Sequence, residues 1–229
     1  MYNKGNDMSR LEYLLGYMPS MSTPLKALSQ TWAKRCSNMI VFTTQKTARY
    51  PLVPLNTTSD VSSWRAYHEA ILYLAQYIDK HNWFFLVEED TYVIVENLAY
   101  YLSIFNFNEP YYFGHALQGW GAAYNGAGPG TALSKGSMRK LFNHLSKGHW
   151  PPSSANGETS LGRCLLDVGV VTMDTRDELG RERFLMFQPE TLLIPGNLPW
   201  TSSFSTSSKY GIKEVSWCFE HFSLIYCMF

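Results

Sequence analysis

Residues 83–91 read Trp83-Phe84-Phe85-Leu86-Val87-Glu88-Glu89-Asp90-Thr91. An unbroken apolar run of this length is the signature of a strand covered on both faces, as in a parallel sheet between helices. It empties straight into adjacent carboxylates. In open α/β sheets, ligands bind beyond the carboxyl ends of the strands. Between residues 81 and 133 there is no Lys or Arg, while Glu88, Glu89, Asp90, Glu96 and Glu109 are acidic. The triplet therefore has no neutralising partner within its own stretch, and a hard divalent cation such as Mg2+ or Mn2+ is the natural counter-charge. The plain alternative is a solvated acidic turn.

Outward from this strand the chain alternates strand-like and helix-like segments. Residues 11–18 and 39–43 are short apolar runs, and 111–114 is a third. Residues 25–35, 93–103, 134–144 and 159–167 have helical spacing, and 63–80 is the best amphipathic helix, with Trp64, Tyr67, Ile71, Leu72 and Ala75 on one side. Residues 51–63 read as a loop, 119–130 as a glycine-rich bend, and 195–211 as a Ser/Thr/Gly/Pro-rich connection. The alternation predicts an α/β sandwich.

The whole-chain numbers bound the function. The 229 residues, 45% of them apolar, with 13 Phe, 15 Tyr and 7 Trp, are enough for a sizeable core. Lys plus Arg is 19 and Asp plus Glu is 19, which argues against a dedicated nucleic-acid binder. Cys36, Cys164, Cys218 and Cys227 lie far apart with no C-x-x-C pair, which argues against a zinc ribbon or a thioredoxin-like site. No stretch reaches the ~18 consecutive apolar residues of a membrane span, and residues 1–10 lack a signal-peptide core.

Three further features bear on chemistry. The segment 124–130, YNGAGPG, is neither a P-loop nor a dinucleotide fingerprint, and by itself reads as a bent loop ahead of a helix. Glu158 stands ahead of 161–164 (LGRC) in the first turn of a helix, where capping is the default role and catalysis the sharper one. His221 and Cys218 have ligand chemistry, but a lone His beside Phe219 and Phe222 is more often packed than ligating.

Taken in order, several segments resemble the core 1 β1,3-galactosyltransferase family, Fringe-like inverting glycosyltransferases of family 31. They are 31–36 (TWAKRC), 83–95 (WFFLVEEDTYVIV), 112–114 (YFG), the glycine segment ending in 133–135 (LSK), 161–164, 174–184 (DTRDELGRERF), and 189–190 with 193–199. The resemblance implies a GT-A fold, with a mixed central sheet flanked by helices. It divides the chain into a diverged segment, 1–22, carrying a remnant first strand that in the family helps form the uridine pocket, and a catalytic domain, 23–229. It implies a UDP-galactose donor, a Mn2+ cofactor, and O-linked N-acetylgalactosamine on a glycoprotein as acceptor, with no nucleic acid involved and a homodimer left open. Asp90 matches the family's metal-binding acid, with Glu88 and Glu89 beside it near metal and ribose. Glu158 matches the acid proposed as general base.

The departures are specific. Glu88 and Glu89 stand where the family has aspartates, one methylene shorter. The family's late Ser-aromatic-His is here Ser216-Trp217-Cys218, so a histidine ligand, if kept, moves to His221. The aromatic acceptor segment has become Ser- and Thr-rich 200–208. Several family cysteines are missing, and the four present look like remnants of a larger disulfide set. Two functions follow from the resemblance: a metal-dependent galactosyltransferase, or a non-catalytic paralogue acting as a folding chaperone. The retained carboxylates favour the enzyme. The family implies the lumenal side of a Golgi or ER membrane, and Asn56-Thr57-Thr58 is a glycosylation acceptor only if the chain reaches that lumen.

Overall fold

Strand residues alternate between the two faces of a sheet, so a strand that is apolar at every position must be covered twice. The run at 83–87 is. The computed structural model describes residues 11–16, 30–36, 38–43, 52–55, 64–88, 90–119, 122–148, 151 and 156–187. Within them lie β1 (Leu11–Gly16), β2 (Asn38–Thr43), β3 (Leu52–Pro54), α1 (Trp64–Leu74), β4 (Trp83–Glu88), α2 (Val95–Ser103), β5 (Tyr112–Phe113), β6 (His115–Gly119), β7 (Ala122–Gly126), β8 (Thr131–Ser134), α3 (Lys135–Leu145) and α4 (Gly157–Asp167). The result is a mixed α/β architecture.

Odd-numbered residues of β4 (Trp83, Phe85, Val87) pack with Val41 against α2 and against Trp32 of a 3-10 turn. Phe84 and Leu86 point the other way, with Ile40 and Phe42, onto α1, α3 and α4. Phe84 and Phe85 are both buried, each worth roughly 1.5–3 kcal/mol of transfer free energy. Helices thus cover both faces.

The main sheet has the order β3-β2-β1-β4-β8-β5. Strands β1 to β4 are mutually parallel where they pair, and β8 runs antiparallel to both β4 and β5. The chain lays β2 and β3 to one side of β1, then crosses to place β4 on the other. Strand order therefore reverses between β1 and β4, where Gly16 is in register with Glu88. That reversal is the topological switch point, the usual ligand crevice of such sheets.

Several expectations need correction. The 51–63 segment, read as loop because of its two prolines, contains the edge strand β3, where a proline is tolerated because no further strand needs its missing N–H. The glycine-rich stretch is a hairpin, β6 with β7, register His115↔Gly126 to Gly119↔Ala122. The buried stripe of α1 is Trp64, Ala66, His68, Ala70, Ile71 and Leu74, while Leu72 faces solvent. Glu89, His221, Cys218, Cys227 and the Ser/Thr-rich 195–211 lie outside the described residues. Among the described residues no helix is long and apolar enough to cross a membrane.

Candidate active site

The turn after β4 is held by one threonine. The Glu88 N–H donates to Thr91 Oγ1 (3.2 Å), and the Thr91 hydroxyl donates to the Gly128 carbonyl (2.9 Å). The Thr91 N–H closes the turn on the Glu88 carbonyl at 3.2 Å. The Trp32 indole N–H donates to the Thr91 carbonyl at 3.1 Å, anchoring the turn to the opposite helical layer. Asp90 sits inside this turn. Burial raises its pKa above the ordinary carboxylate value, and its own backbone amide offsets part of that. Glu96, another acid of the same stretch, is paired with Arg35 at 3.1 Å, so a cation from outside the stretch does reach it.

The 127–130 bend ties two acidic elements together. Its Gly128 carbonyl takes the Thr91 hydroxyl, and the Ala127 amide lies by the Glu158 carboxylate, favouring its ionised form. Gly130 turns the chain at φ +81, where a Cβ would come within 2.5 Å of the Phe85 ring. The glycine is required on both counts.

Glu158 is where its sequence position places it, in the first turn of α4. The capping role belongs to Asn156, whose Oδ1 accepts from the Glu158 N–H (2.8 Å) and the Thr159 N–H (3.2 Å). The Glu158 side chain is thereby left for other work. It lines a cleft along with Phe42, Tyr67, Val87, Asn125 and Thr131. Burial dominates its environment and raises its pKa. Gly162, one turn on, lets α4 approach β7: a Cβ there would sit 2.5 Å from the Tyr124 Cβ.

Tyr67 joins the two acidic elements. Desolvation is the main reason its phenol pKa stands well above normal, and the charges of Glu158 and then Glu88 push the same way. Tyr112 and Tyr124 also feel Glu158. By sequence alone Tyr67 is a member of the apolar side of 63–80 and no more. Its neighbours Ala66 and Ala70, small residues that also line the cleft, were the available signal.

Among the described residues, no three His, Cys, Asp or Glu side chains converge on a ready-made metal cage. Glu88 and Asp90 nevertheless offer hard carboxylate oxygens in one turn. That donor set fits a Mg2+- or Mn2+-like ion, which takes one or two carboxylates and completes its shell with substrate phosphate and water.

Residues 21–159 match the family model described as "Fringe-like". The chain is 27% identical over 194 residues to glycoprotein-N-acetylgalactosamine 3-beta-galactosyltransferase 1 of Xenopus laevis, covering 80% of this chain and 53% of that protein. It is 29% identical over 163 residues to human chondroitin sulfate glucuronyltransferase, covering 67% of this chain and 21% of the relative. Human beta-1,3-glucosyltransferase is 26% identical over 149 residues, or 62% and 30% of the two chains. The match thus spans about half of the frog protein's length and less of the two human ones.

Proposed function

The chain belongs to the Fringe-like family, and on that premise we propose that it is an inverting glycosyltransferase of GT-A fold. In this reading it transfers galactose from UDP-galactose, in β1,3 linkage, to O-linked N-acetylgalactosamine on glycoproteins in the Golgi or ER lumen. The observation that carries the reading is the joining of two acidic elements through the 127–130 bend: Thr91 ties the Glu88–Asp90 turn to Gly128, and the Ala127 amide lies by Glu158, which lines the cleft. The Glu88–Asp90 turn lies at the switch point, and Glu158 lies across the 127–130 bend from it.

Each group has a task that its surroundings suit. Asp90, with Glu88 and, by sequence, Glu89 and His221 as further ligands, would hold a Mn2+ ion, which would supply charge stabilisation for the departing diphosphate. Thr91 and Trp32 keep the turn from relaxing, which matters because displacement of a reacting group by about 1 Å can cost 100-fold in rate. Glu158 takes the proton of the acceptor hydroxyl. A carboxylate whose pKa is raised by burial is a stronger base than a solvated one.

A calorimetric titration of Mn2+ and UDP tests this. Metal-dependent UDP binding is expected in the native chain and at least tenfold weaker in Asp90→Ala. Absence of UDP binding at every metal concentration would leave the second reading, a folding chaperone. The longer glutamates at 88 and 89 are the observation that favours that reading.

A further inference from the structure

Asn125 is a buried polar residue of the cleft lining to which the mechanism above gives no task. It is 2% exposed. Its backbone N–H donates to the Tyr112 hydroxyl at 2.9 Å, and its Nδ2 lies 3.5 Å from the Tyr112 carbonyl. That second contact favours this orientation of the amide, since the flipped rotamer would set oxygen against oxygen. Gly114 makes room for it: a Cβ there would stand 2.8 Å from both Cβ and Cγ of Asn125. The other end of the amide, Oδ1, is buried with no hydrogen-bond partner, and the residue lines the same cleft as Glu158. A buried carbonyl left unpaired costs about 1–3 kcal/mol. A group of this kind calls for a partner, and at a cleft wall a bound ligand is one that can supply it.

We propose that Asn125 binds the acceptor sugar: its Oδ1 accepts a hydrogen bond from a hydroxyl adjacent to the one that gives its proton to Glu158. This rests on the transferase reading. The lining suits a neutral polyol better than a phosphate. Among the described residues it holds Phe42, Leu55, Tyr67, Leu86 and Leu161 but no Lys or Arg. Asn125 Oδ1 is an acceptor only, so it cannot serve the hydroxyl that must lose its proton, but it can hold the neighbouring one.

The test is binding, measured separately for UDP with Mn2+ and for methyl α-N-acetylgalactosaminide, on the native chain and on Asn125→Leu. Leucine has a similar shape and removes the unpaired oxygen. The variant should keep or gain thermal stability, bind UDP unchanged, and bind the glycoside about tenfold more weakly. Equal glycoside affinity in the folded variant overturns the proposal, as does a loss confined to UDP, which would place the nucleobase there instead. The native chain gives a check that needs no variant. On the reacting sugar the hydroxyl next to the attacking 3-OH is the 4-OH, so the 4-deoxy glycoside should bind about tenfold more weakly than the parent and the 6-deoxy glycoside should bind like it; undiminished binding of the 4-deoxy glycoside, or no binding of the parent, sinks the proposal. Native UDP binding without glycoside binding would leave the transferase reading standing, whereas absence of UDP binding removes both.

Discussion

At the scale of single residues, Glu158 carries the clearest consequence. Burial raises its pKa above the ordinary 4.5, so the native chain binds this proton more tightly than the unfolded chain does. Between the ordinary value and the raised one, folding is linked to proton uptake, and stability falls as pH rises through that window. Above it, an ionised carboxylate is kept in a poorly solvated cleft at a standing cost. Glu158→Gln keeps the shape and removes the charge. The variant should melt higher than the native chain at neutral pH and lose part of the pH slope. Asp90, also raised by burial, keeps a residual slope of the same sign. Transfer should fall by at least about 100-fold, as expected for a lost general base, with UDP binding intact. Melting curves at pH 5 and pH 8 alongside transfer assays check both halves; unchanged transfer takes Glu158 out of the base role. The stability gain and activity loss together would mark a functional group rather than a cap, because Asn156 already performs the capping.

At the scale of elements, legibility followed how much of an element's reason lies within its own residues. Strand β4 was readable because five apolar side chains need two covers, and α4 because Glu158 and the Leu161–Leu165 spacing lie on one helix. The β6–β7 hairpin was not, because Gly119 and Gly126 at its ends mimic a loop, and what makes strands of it is cross-strand pairing. Asn125 and Tyr67 were missed for the same reason: their roles come from Tyr112, Glu88 and Glu158, each distant in sequence. Ser134 shows such long-range logic at an element boundary. It ends β8 and caps α3, its Oγ accepting from the Ser137 N–H (3.2 Å) and the Tyr111 N–H (2.9 Å) and donating to the Glu109 carbonyl (2.6 Å). It is fully buried. Ser134→Ala removes the cap and orphans groups on the strand leading into β5, so a loss of about 2–3 kcal/mol is expected, above the ~1 kcal/mol of an exposed cap. For a chain of this size that lowers the melting temperature by several degrees. A shift of under 1 °C would show that water replaces the hydroxyl.

At the scale of the whole molecule, the weakest sequence signal holds the most central position. Residues 11–16 are short and, within the resemblance, barely recognisable as a first strand. Yet Leu11–Gly16 pairs with β2 through Glu12↔Asn38 to Gly16↔Phe42 and with β4 through Leu11↔Trp83 to Gly16↔Glu88. With β1 absent, β4 would lose its partner on one side, and the switch point would have only one wall. The fold and the site therefore depend on the same six residues through their backbone ladders. Leu14→Pro isolates it. Leu14 is in register with Ile40 on one side and Leu86 on the other, and a proline between two paired strands removes a ladder N–H and forces the backbone from its strand geometry, with a cost of about 3 kcal/mol or more. Against a typical stability of roughly 5–15 kcal/mol, the expected outcome is a large drop in melting temperature or loss of cooperative unfolding, together with loss of Mn2+-dependent UDP binding. A variant that melts like the native chain would show that the sheet closes without this strand and that the crevice beside Glu88 is built by other residues.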